Sequence, residues 1–177
     1  MLRLISEDLE TVSCFGTGIR LTGNPEEHDF MTAQFRTASG VVARIMTSFV
    51  NESPTHHHYR IFTTRGVFER TRPQANSNTP SAGELPRALF YSAKGTAHSG
   101  EFSDLAMAEM PPRYAENPNA TGHGGVDYAM LDAFFHAIRT GKPAPVALRE
   151  GLRISVPGIY AAESARRGGE VLKIQYP

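Results

Sequence analysis

The chain has 177 residues, 40% hydrophobic and 20% charged, with Lys+Arg and Asp+Glu balanced at 18 each. This is the profile of a globular chain able to bury a core, and its zero formal charge argues against a nucleic-acid or anionic-membrane surface. No apolar run reaches the length of a membrane span, and a single cysteine, Cys14, excludes an internal disulfide framework and a multi-cysteine zinc site.

The first residues, Met1-Leu2-Arg3-Leu4-Ile5-Ser6-Glu7-Asp8, have no long apolar core and turn acidic at once, unlike a signal peptide. A cytoplasmic protein is expected, with an upstream leader left open. Residues 12–15 are a short candidate strand, with Cys14 as a small buried hydrophobe. Gly16-Thr17-Gly18 follows it. A dinucleotide-binding fingerprint would need a third glycine where Leu21 stands, and a helix where Thr22-Gly23-Asn24-Pro25 stands. The glycines are therefore read as a turn.

Residues 30–36 and 41–50 are two further strands, joined by the short polar linker Thr37-Ala38-Ser39-Gly40. In the second, Val41, Ala43, Ile45, Thr47 and Phe49 share one face, and Val42, Arg44, Met46, Ser48 and Val50 the other. Residues 57–64 form a fourth strand, which Arg65-Gly66 turns into 67–69, extending an antiparallel meander. His56 and His58 would share a strand face and make half a metal site. The sequence places no further ligand, so a polar strand entry is the simpler reading. Residues 72–86 and 111–121 are rich in turn residues and carry no period. Residues 89–92 are one more candidate strand.

The last third reads as helical. From Val126, apolar residues recur at Met130, Leu131, Phe134, Phe135 and Ile138, a stripe expected to be buried. Gly141 is the expected C-cap, with Pro143 and Pro145 beyond it. A second helix spans 147–167, with Pro157 expected to kink or split it and Gly168-Gly169 to end it. Residues 171–176 form a closing strand with Leu172, Ile174 and Tyr176 on its apolar face. The fold class is α+β: a mostly antiparallel open sheet with helices packed on one face. Apolar residues on both faces of 41–50 predict self-association through the uncovered sheet face.

Gly122-His123-Gly124-Gly125, directly before the first helix, carries the candidate chemistry. Free amides at a helix start favour an anion or a polar ligand oxygen, and glycine lets a ligand approach the backbone closely. His123 could donate, accept or shuttle a proton near neutral pH. Asp127 and Tyr128, in the first turn, could face the same space. The alternative is a plain loop turn in which His123 only caps the helix. Asp127 and Asp132 are five apart and do not pair on one helix face.

The segments "HDFMTAQFRTASGVVARIMTSFV", "HHHYRIFTTRGVFE", "GHGGVDYAMLDAFFHAIRTGKPAPV" and "IYAAESARRGGE", in that order, resemble the C-terminal domain of the Gfo/Idh/MocA oxidoreductase family. "GHGGVDYAML" is also similar to that family's NAD-dependent glycosidase branch, glycoside hydrolase family 109. The resemblance implies one C-terminal substrate and oligomerisation domain over residues 1–177, without the family's N-terminal Rossmann domain. It implies an NAD or NADP cofactor bound mainly by that missing domain, a sugar or polyol-like substrate, and a homo-oligomer formed through the sheet. In that reading His123 and Tyr128 are catalytic, and Gly124, Gly125 and Asp127 bind substrate. The family's alternatives are redox-assisted glycosidase chemistry or a non-catalytic oligomerisation module.

Overall fold

A computed structural model describes residues 6–18, 21, 23, 24, 27–50, 58–70, 88–93, 100–105 and 126–177. The strands in them are β1 (Leu9–Thr17), β2 (Phe30–Thr37), β3 (Val42–Ser48), β4 (Tyr59–Thr63), β5 (Gly66–Arg70), β6 (Ala88–Ala93), β7 (Gly100–Leu105) and β8 (Leu172–Lys173). The helices are α1 (Val126–Thr140) and α2 (Leu148–Arg166). The α+β class is therefore as expected, and every strand pairing is antiparallel. The strands do not form one meander, however. They make two four-stranded sheets, ordered β3-β2-β1-β8 and β4-β5-β6-β7. The contacts group the chain into two compact units, one of Met1–Asn51 with Asp127–Pro177 and one of Glu52–Val126.

In the first unit, period-two alternation selects the buried face. Val12 lies opposite Phe35, which lies opposite Ala43; Cys14 lies opposite Ala33, which lies opposite Ile45. Val12, Cys14, Ala33, Phe35 and Ala43 are buried together with Val156, Ala161 and Ala165 of α2. The alanines let the helix axis approach the sheet closely, and burying a side chain such as Val12 or Phe35 stabilises by about 1.5–3 kcal/mol. The β2–β3 turn closes on Gly40, whose φ of 91° suits glycine. There the Gly40 N–H donates to the Thr37 carbonyl at 3.0 Å, and the Val41 N–H donates to Thr37 Oγ1 at 3.1 Å.

Helix α2 runs unbroken through Pro157, which is buried. The expected split does not occur. Packing of Val156, Ala161 and Ala165 on the sheet holds the helix across the one amide hydrogen bond that proline removes. Past α2 the chain doubles back onto the free edge of β1. The fully buried Ser164 accepts from the Cys14 N–H at 2.9 Å and donates to the Glu170 carbonyl at 2.6 Å. Ser13 Oγ donates to the Gly169 carbonyl at 2.8 Å. The closing strand is shorter than expected: Leu172 and Lys173 form the ladder with β1, and the Ile174 N–H adds one bond to the Glu10 carbonyl at 2.8 Å. Its apolar face is as expected, with Ile174 buried and Leu172 and Tyr176 packed beside it.

In the second unit, β4 and β5 form a hairpin in which Arg65 N–H donates to Thr63 Oγ1 at 3.2 Å. Gly66 permits close approach of β6, since a Cβ there would lie 2.2 Å from the Tyr91 carbonyl oxygen. Arg60 and Glu69 form a cross-strand ion pair at 3.2 Å.

Helix α1 departs most from expectation. Met130, Leu131, Phe134, Phe135 and Ile138 are each more than half exposed. Its buried residue is Ala137, with Ala133 and Ala129 half-buried on the same flank. The periodic stripe is real, but it is the outward face, and the helix packs through its small residues. Gly141, at φ 65°, ends α1 as expected. No helix among the described residues is long and apolar enough to cross a membrane.

Candidate functional site

Of the five predicted site residues, the structure describes Asp127 and Tyr128. His123, Gly124 and Gly125 lie outside the described residues. Asp127 and Tyr128 open α1 and are both half-buried. The carboxylate of Asp127 sits in the first turn, where unpaired backbone N–H groups carry partial positive charge and stabilise an anion. Successive helical residues diverge by about 100° around the axis. Asp127 and Tyr128 therefore leave the first turn of α1 in different directions.

The other sequence candidates resolve differently. Cys14 is buried, and burial pushes its thiol pKa up, so it is an inert core residue. His58 lies 3.6 Å from Glu69, while His56 and His57 lie outside the described residues. Among the described residues, no group of three His, Cys, Asp or Glu could hold a metal ion. Asp132 faces Arg139 at 3.9 Å, an exposed structural pair.

Gly16 and Thr17 belong to β1, and only Gly18, at φ 83°, turns the chain. The space a Cβ would take on Gly16 is filled by the His28 ring at 2.2 Å, and that on Gly18 by the Asp29 carboxylate at 2.9 Å. A dinucleotide pyrophosphate needs open backbone amides and no fixed negative charge. The residues here do not fit it.

Sequence reasoning missed a cavity of about 470 Å³ lined by Glu7, Asp8, Leu9, Glu10, Ala38, Ser39, Ile174 and Tyr176. Hydrogen bonds from Ser39 and Thr37 hold the Glu7 carboxyl below its ordinary range. Burial, then the neighbouring Asp8 carboxylate, push the Tyr176 phenol up. Arg153 and Arg149 both pair with Asp8, tying α2 to the start of β1. The lining comes from both ends of the chain and from the β2–β3 turn, so no local motif marks it. None of the predicted site residues lines it.

No protein-family model and no curated protein sequence matches the chain. Solved structures do match in fold. A levoglucosan dehydrogenase in complex with NADH and levoglucosan aligns over 99% of this chain and 47% of its own, at 15% identity and a TM-score of 0.65. A UDP-N-acetylglucosamine 3-dehydrogenase from Acidithiobacillus ferrooxidans aligns over 94% of this chain and 45% of its own, at 17% identity and a TM-score of 0.64. An aldose-aldose oxidoreductase from Caulobacter crescentus complexed with glycerol aligns over 98% and 43%, at 18% identity and a TM-score of 0.59. The chain has the fold of one part of these oxidoreductases. It spans less than half the length of each.

Proposed function

We propose that this chain is the substrate-side domain of an NAD(P)-dependent oxidoreductase of the Gfo/Idh/MocA type, acting on a sugar or polyol-like substrate. The observation that carries the reading is the near-complete match of the chain to about half of sugar-acting dehydrogenases, one of them solved with NADH and levoglucosan. The cofactor, which supplies the redox chemistry, is assigned to a dinucleotide-binding domain rather than to these residues, because Gly16–Gly18 is filled by His28 and Asp29.

This chain contributes the sugar side. Asp127 and the backbone of Gly124 and Gly125 orient substrate hydroxyls at the mouth of α1. His123 and Tyr128 hold or move the hydroxyl proton there. The dehydrogenase and oxidoreductase names of the three matched proteins favour this reading over glycosidase chemistry.

Two measurements test the proposal. Calorimetric titration of the 177-residue chain with NAD+ and NADP+ is expected to show no tight binding, and micromolar affinity would contradict the assignment of the cofactor to another domain. Joined to a dinucleotide-binding domain, the chain is expected to support NAD(P)H formation with a panel of sugars and polyols. Sugar-independent turnover, or glycoside cleavage without net NAD(P)H change, would overturn the oxidoreductase reading.

A further inference from the structure

We draw no further inference here: the strongest candidate, the cavity between the start of β1, the β2–β3 turn and the closing strand, is an acidic cluster whose Glu7 and Asp8 carboxylates already bond within the chain to Ser39, Arg149 and Arg153, and nothing among the described residues points to a ligand in it.

Discussion

Replacing Ser164 by alanine removes one oxygen that closes two hydrogen bonds, one of them across 150 positions and the other across six. The side chain is fully buried. It joins the Cys14 N–H, 150 positions away, to the turn that follows α2 through the Glu170 carbonyl. After Ser164→Ala the Cys14 amide is left buried without a partner, which costs about 1–3 kcal/mol. The Glu170 residue is exposed, so water can recover its carbonyl, and that loss is about 0.5–1.5 kcal/mol. The two sum to about 1.5–4.5 kcal/mol, a large share of the roughly 5–15 kcal/mol that stabilises a domain.

Urea unfolding of parent and variant should show the midpoint falling with an unchanged slope. Hydrogen exchange at the Cys14 amide should accelerate with it. Ser13→Ala is the control: its bond to the Gly169 carbonyl is only partly buried, and its loss should cost about 0.5–1.5 kcal/mol. A Ser164→Ala cost within about 0.5 kcal/mol, as for an ordinary surface change, would refute the claim that this hydroxyl fastens the chain end to β1.

Phe35→Ala should cost about 3–5 kcal/mol, because Phe35 is buried between Val12 and Ala43; Phe134→Ala, half exposed, should cost about 1 kcal/mol or less in the monomer, and equal losses in denaturant titrations would contradict the placement of the stripe. In a protein completed with a dinucleotide-binding domain, His123→Ala should lower turnover roughly a hundredfold with the melting temperature unchanged; a lowered melting temperature with turnover spared would make His123 a structural cap. Hydrogen bonds from Arg167 and then Arg166 hold the Glu163 carboxyl below its ordinary value, so its small stabilisation is present above about pH 4.3 and is lost as pH falls through the lower folded value. Parent and Glu163→Gln melting curves should therefore differ at neutral pH and converge in acid; a gap that persists at the acid end would show that charge is not the cause.

The sequence by itself determined the local elements wherever one periodicity was unambiguous. Two candidate strands, the second with clear alternation, joined by Thr37-Ala38-Ser39-Gly40 specified a hairpin, and the structure pairs them in that way. The 3.6-residue spacing of α1 and its stop at Gly141 specified a helix with one apolar stripe. β7 was not legible, because Gly100-Glu101-Phe102-Ser103-Asp104-Leu105 has no β-branched residue and several poor strand formers. Pairing to β6 makes it a strand.

The candidate site was legible only as residue types at a helix start, since spacing places Asp127 and Tyr128 in one turn but says nothing of what faces them. Tertiary structure alone decided the rest. Strand pairing is a choice among distant partners, so the strands read as one meander close into two sheets. Periodicity marks an apolar face without naming what covers it, so the stripe of α1 is exposed while Ala137 is buried. Ser164 reads locally as a polar residue near a helix end. Only the return of the chain along the edge of β1 buries it and gives its hydroxyl two partners, because a hydrogen bond across 150 residues leaves no mark on the sequence between.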